Sequence, residues 1–230
     1  MTMTAACSNF PPPRHHLVFL AAVASLAGRL EGLEPEVRSA VTQWVALGWP
    51  AVVRRQEPGT CAQTLSVGFP LALNRGRRRV GIEVGLEEVA RVGSPPLLGK
   101  AAAAAPPSWQ GPLRTLMAQA RGLGLSLRVY GSLAWQHLTG QHYLREGSDI
   151  DLLFRARSPR HLEEILTMLT EWEKRYCLRA DGELLLGDGQ AVAWRELLNA
   201  RQRQVLVKSN NSVSLRPVGE ILAVLSGGTT

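Results

Sequence analysis

Arg128-Val129-Tyr130-Gly131-Ser132-Leu133-Ala134-Trp135-Gln136, then a polar stretch, then Ser148-Asp149-Ile150-Asp151-Leu152-Leu153-Phe154: these residues decide how the rest of the chain is read. The apolar run from Leu125 to Tyr130 stops at Gly131-Ser132, and helix-compatible residues 133–138 follow at once. The order is strand, tight turn, helix. Gly131 lets a ligand approach the backbone closely, while Ser132 offers a hydroxyl and a backbone N–H at a helix start, where the dipole favours negative charge. A phosphate fits such a place.

Asp149 and Asp151 alternate with Ile150, Leu152 and the residues that follow, and side chains two apart on a strand share a face. Two carboxylates about 5 Å apart repel by roughly 3 kcal/mol at an effective dielectric near 20, and a divalent, oxygen-seeking cation such as Mg2+ reverses that cost. A bare Asp-x-Asp also suits a solvated strand start after a Gly147 turn. The Gly-Ser turn upstream is what makes the pair a candidate site.

The succession of Gly-Ser, helix and Asp-x-Asp strand resembles the polymerase-beta-type nucleotidyltransferase superfamily. The longer pattern is narrower: Tyr130 to Gln136, Leu138-Thr139-Gly140, Tyr143-Leu144 and Ser148 to Leu153. It is similar to the phosphoribosyl-dephospho-CoA transferase family, which acts as holo-acyl-carrier-protein synthase of malonate decarboxylase. The similarity continues through Arg179-Ala180-Asp181-Gly182-Glu183 and Ala191-Val192-Ala193-Trp194-Arg195-Glu196, and faintly at Arg14-His15. It implies an α+β fold, with a mixed sheet and packed helices in the C-terminal half and a smaller α+β domain before it.

The resemblance further implies that Asp149 and Asp151 are catalytic and hold Mg2+, and that a later strand adds a third carboxylate. Arg179, Asp181 and Glu183 share one face of that strand; Asp181 is the first choice and Glu183 the second. Asp181-Gly182 could instead be a hairpin turn, but Asp188-Gly189 is a competing turn that would leave Asp181 inside the strand. Gly131, Ser132 and Gln136 are expected to bind substrate, Gln136 because the resemblance includes it. Lys208, at the end of the run Val205-Leu206-Val207, either neutralises diphosphate or is a solvated strand end.

The implied reaction moves a phosphoribosyl-dephospho-CoA group from triphosphoribosyl-dephospho-CoA to a serine of the malonate decarboxylase apo-acyl carrier protein, releasing diphosphate. Two other readings stand beside it. One is a nucleotidyltransferase using ordinary nucleoside triphosphates on a small molecule, protein or RNA. The other is a non-enzymatic nucleic-acid module, against which the basic residues lack the interleaved aromatics that single strands stack on.

Over 230 residues the formal charge is +7, and the pI is near 10.0. The excess is spread over both halves, so an anionic partner is expected but no basic tail. Cys7, Cys61 and Cys177 are too few and too widely spaced for a disulfide framework, which fits a reducing cytoplasm. Leu17 to Ala27 superficially resembles a signal-peptide core but is too short to span a bilayer. A buried or amphipathic first element is expected there, and no membrane association.

After Phe10-Pro11-Pro12-Pro13, an extended lead-in, the pattern predicts a helix over residues 17–30, whose beginning also suits a strand, and another over 35–47. Short strands follow at Ala51 to Val53, Thr64 to Phe69 and Arg79 to Val84. Arg54-Arg55 and the arginines from Arg75 to Arg79 are solvated ends or grips for phosphate or an acidic protein surface. Residues 94–112, rich in Ser, Pro and Ala, form the junction, giving domains at 1–105 and 106–230. Beyond it, Leu113 to Leu123 reads as a helix, and so does the stretch capped by Ser158-Pro159, with Leu162, Ile165, Leu166, Leu169 and Trp172 on one stripe. Trp135 reads as core. His137 and His142 read as surface groups, and residues 139–147 as a polar loop able to close on substrate.

Overall fold

The computed structural model describes residues 11–23, 26–56, 63–72, 78–198 and 203–227, with the side chain of Asp188 outside that description. The chain divides into two compact units, one drawn from Met1–Phe69 and Arg79–Ser94, the other from Pro70–Arg78 and Pro95–Thr230.

In the first unit five strands, β1 (Leu17–Leu20), β2 (Ala51–Val53), β3 (Thr64–Pro70), β4 (Arg79–Gly85) and β5 (Val89–Gly93), form one sheet in the order β4-β3-β2-β1-β5. Helix α1 (Ala27–Leu30) is a single turn, and α2 (Pro35–Ala46) begins with proline at its first position, where no N–H is needed. Trp44 of α2 is buried edge-on against Phe69 of β3 and donates its indole N–H to the Pro50 carbonyl at 3.0 Å.

Over 17–30 the beginning, which the sequence left open to strand, is strand, and the α-helix described there is α1 alone. Leu17-Val18-Phe19-Leu20 is a strand held between β2 and β5 in antiparallel pairing. Apolar runs this short do not distinguish strand from helix by period, and the two neighbouring strands decide. Strand β5 was not anticipated; its Arg91 lies over the Phe19 ring, 3.5 Å from the centroid. Cys7, Cys61 and Arg75 to Arg77 lie outside the described residues.

The second unit is built on six strands: β6 (Arg128–Val129), β7 (Ile150–Phe154), β8 (Ala180–Leu185), β9 (Ala191–Ala193), β10 (Gln204–Lys208) and β11 (Val213–Pro217), ordered β11-β10-β9-β8-β7-β6. Pairing is antiparallel except between β7 and β8, which run parallel. The sheet is mixed and the fold α+β, as expected. Its helices are α3 (Leu98–Ala101), α4 (Pro107–Gly122), α5 (Gly131–Thr139), α6 (Pro159–Tyr176), α7 (Trp194–Leu197) and α8 (Val218–Gly227).

Helix α6 shows how sequence sets this architecture. Ser158 accepts the His161 N–H at 3.1 Å, Pro159 opens the helix, and Leu162, Ile165, Leu166, Leu169 and Trp172 are all buried. Each such side chain contributes about 1.5–3 kcal/mol of apolar burial. Trp172 donates its indole N–H to the Pro112 carbonyl on α4 at 2.8 Å, and Tyr176 donates to Thr115 at 2.9 Å. The sheet face below is uniformly apolar: Leu152, Phe154, Ala180, Leu184, Val192, Val205 and Val207 are buried in the same core.

Three boundaries differ from expectation. Helix α4 starts at Pro107, six residues early, because Pro107 occupies the tolerant first position and Pro112 is accommodated inside it. Strand β6 is two residues long, shorter than 125–130. The division falls between Ser94 and Pro95, whereas the expected domains meet at 105/106. Leu98, Ala101, Ala102 and Ala105 are buried in the second unit's core, and Leu98 N–H bonds to the Leu127 carbonyl at 2.9 Å. The alanine run packs there as α3 and a 3-10 turn.

Candidate active site

Helix α5 starts directly at Gly131, whose φ of +62° is a left-handed conformation. A Cβ on this residue would lie 1.8 Å from Asp151 Oδ2, so the carboxylate occupies the space that glycine leaves open. Antiparallel pairing of β6 with β7, extended by the Tyr130 N–H bond to the Asp151 carbonyl at 3.1 Å, fixes this approach. The Gly-Ser turn and the second aspartate are thus brought together. Ser132 follows at the second helical position.

The parallel register then sets Asp151 on β7 beside Asp181 on β8 and Leu153 beside Glu183. Asp149, one residue before β7, falls on the same face by alternation. Asp181 is inside the strand and not in a turn; the turn is the 3-10 segment Gly187–Gly189. Gly182, at φ +145°, lets β8 press against β7, since a Cβ there would lie 2.0 Å from the Leu152 carbonyl oxygen.

The two candidate third carboxylates have different surroundings. Asp181 is partly open; its Oδ1 accepts the Gly182 N–H at 2.8 Å, and Arg179 and Arg195 each stand 3.9 Å from it. Glu183 is buried and meets the Lys208 ammonium at 3.1 Å. Lys208 is therefore committed to a carboxylate next to the site.

Gln136 also has a defined occupation. Its side-chain oxygen accepts the N–H groups of Tyr143 and Leu144, both at 3.1 Å, and its amide donates to the Ala104 carbonyl at 2.7 Å. The middle of the 139–147 loop is consequently pinned. Tyr143 is buried and donates its hydroxyl to the Pro70 carbonyl at 2.7 Å. Burial pushes its phenol up to about 12, against a smaller lowering by the Thr139 hydrogen bond. His142 and Arg145 are exposed, His137 is half-buried, and Trp135 is core.

Sequence reasoning missed a network behind Asp181. Glu173, in the last turn of α6, accepts the Ala180 N–H at 2.6 Å and also bonds Arg195; Arg195 donates to the Ala180 carbonyl at 2.9 Å and lies over Trp194. The signal was the Trp194-Arg195 pair, quoted only as part of a resemblance.

Among the described residues no three His, Cys, Asp or Glu side chains gather into a self-sufficient metal cage. Mg2+ takes one or two carboxylates and completes its shell with water and phosphate oxygens. The hard oxygen donors of Asp149 and Asp151, next to a helix start suited to phosphate, match that requirement.

Comparison with known proteins identifies the family. Residues 97–218 match the model of the phosphoribosyl-dephospho-CoA transferase MdcG C-terminal domain, and residues 13–95 match that of its N-terminal domain. A phosphoribosyl-dephospho-CoA transferase of Xanthomonas euvesicatoria pv. vesicatoria is 39% identical over 213 residues, covering 93% of this chain and 98% of that protein. One from Bradyrhizobium diazoefficiens is 37% identical over 215 residues, covering 93% and 94%. A Pseudomonas aeruginosa relative is 33% identical over 168 residues, covering 72% and 76%. No solved structure matches. In class, then, this α+β chain is a transferase. Within that class it belongs to the phosphoribosyl-dephospho-CoA transferase family.

Proposed function

We propose that this enzyme transfers the phosphoribosyl-dephospho-CoA group of triphosphoribosyl-dephospho-CoA to a serine of the malonate decarboxylase acyl carrier protein, in the cytoplasm. One observation supports it above the others: Asp151, lodged against Gly131 at the start of α5, stands in register with Asp181 on the next strand. Phosphate-binding and carboxylate elements meet there.

In this reading the serine oxygen bonds to the phosphorus nearest the ribose. The bond from that phosphorus to the bridging oxygen breaks, and its electron pair leaves with diphosphate. Mg2+ held by Asp149 and Asp151 would supply positive charge for the phosphoryl oxygens. Gly131 and Ser132 present the helix N-terminus to the triphosphate, an environment that stabilises charge developing on oxygen. Asp181, the more open of the two later carboxylates, receives the serine proton. Glu183 is neutralised by Lys208 and supports the floor of the site, while Gln136 positions the adjoining loop.

The test is intact-mass analysis of the apo-carrier protein incubated with enzyme, Mg2+ and triphosphoribosyl-dephospho-CoA. A metal-dependent gain equal to the prosthetic group, absent with chelator, is expected. An unmodified carrier in the presence of folded enzyme would overturn this reading and direct attention to ordinary nucleotides as donors.

A further inference from the structure

A triphosphate lying beside Asp149, Asp151 and Asp181 needs more positive charge than one divalent cation and a helix N-terminus provide. Among the described residues three cationic side chains, Arg179, Arg195 and Lys208, stand within 4 Å of Asp181 or Glu183, and two are already engaged. Lys208 is paired with Glu183 at 3.1 Å. Arg195 is bonded to Glu173 and to the Ala180 carbonyl, and its guanidinium lies 4.6 Å from the centre of the Trp194 ring.

Arg179 is different. It immediately precedes β8, and its carbonyl accepts the Ile150 N–H at 2.9 Å, which continues the parallel ladder and puts its backbone level with Asp149. Alternation with Asp181 turns its side chain toward the carboxylates, where Nη2 stands 3.9 Å from Asp181 Oδ2. That separation is too long for a hydrogen bond. Its side chain is 63% exposed, and no other ion pair engages it among the described residues. The guanidinium fork is thus held at the open end of the site with its donors uncommitted, a geometry suited to bidentate contact with phosphate.

We infer that Arg179 is a phosphate-binding residue of the donor site and grips the departing diphosphate, the place that sequence alone offered to Lys208. The inference rests on the proposed transfer reaction. As the bond from the transferred phosphorus to the bridging oxygen breaks, the electron pair passes to diphosphate, and Arg179 donates N–H groups to its oxygens. Asp181 keeps the fork in place between turnovers.

The experiment is calorimetric titration of inorganic diphosphate with Mg2+ into the wild type, Arg179→Ala and Arg179→Lys, with unfolding temperature measured on each. Arg179→Ala is expected to bind diphosphate at least tenfold more weakly at an unchanged unfolding temperature. Arg179→Lys, which keeps the charge but not the fork, is expected to recover part of the loss. Equal affinity in the wild type and a folded Arg179→Ala overturns the inference, as does a wild type that does not bind diphosphate. If diphosphate binding depends on Arg179 but no carrier protein is modified, only the acceptor assignment falls.

Discussion

Gly131 answers two demands that no other residue meets together, a left-handed backbone and room for the Asp151 carboxylate. Gly131→Ala is expected to cost about 1–2 kcal/mol in denaturant unfolding and to lower transfer at least tenfold by displacing that carboxylate; unchanged transfer would show that Asp151 need not sit there. Asp149→Ala and Asp151→Ala are each expected to abolish carrier modification, with circular dichroism unaltered. Lys208→Met removes the cation facing a buried carboxylate and is expected to destabilise by up to about 3 kcal/mol, with Glu183→Gln in the same chain restoring most of it. Tyr143, raised by burial, supplies the pH test. Its folded-state value lies above the unfolded one, so its contribution is complete below about pH 10 and is lost as pH climbs through 12. The stability difference between the wild type and Tyr143→Phe should be constant below pH 10 and change only within that alkaline window.

Elements were legible in the sequence where a cap and a long apolar stripe coincide, and α6 is the clearest case. Its Ser158-Pro159 start and five-residue stripe are fully realised. Leu17–Leu20 was less legible, because four apolar residues fit either period and only pairing with β2 and β5 settles them. Alternation made the shared face of Asp149 and Asp151 readable, whereas a third carboxylate beside them was implied only by the resemblance, and the β7–β8 register is what sets Asp181 next to Asp151. The different surroundings of Asp181 and Glu183 were not readable, since the pairing of Glu183 depends on Lys208 arriving from β10, 25 residues further on. Gln136 shows the same limit: the sequence singles it out only through the resemblance, and the convergence of the Tyr143 and Leu144 backbone N–H groups on its side-chain oxygen is visible only in the fold. The end of α6 is also testable. Cys177 caps it at φ +50°, a conformation better suited to glycine, so Cys177→Gly is expected to raise stability by about 0.5–1 kcal/mol in denaturant titration.

Across the whole molecule, both units have their own sheet, and the two family-domain matches meet near residue 96. Among the described residues no helix is long and apolar enough to cross a membrane. Composition announced an anionic partner, but charge alone could not distinguish a polyphosphate donor from an acidic protein or nucleic acid; the site geometry and family membership narrow that choice. The +7 charge does predict ionic-strength dependence. Encounter with an acidic carrier protein should slow several-fold between about 50 and 300 mM salt as screening shortens, read as the second-order rate of modification.

The parallel pairing of β7 and β8 has a kinetic consequence. Every other strand contact in this sheet is antiparallel, whereas these two strands meet only after the intervening 18-residue α6 has crossed over. Closing that connection is entropically slower than zipping a hairpin. During refolding, then, β10 and β11 can pair early, while Asp151 and Asp181 are strangers until the crossover docks; competence to bind magnesium diphosphate should therefore appear after most of the sheet signal has already returned.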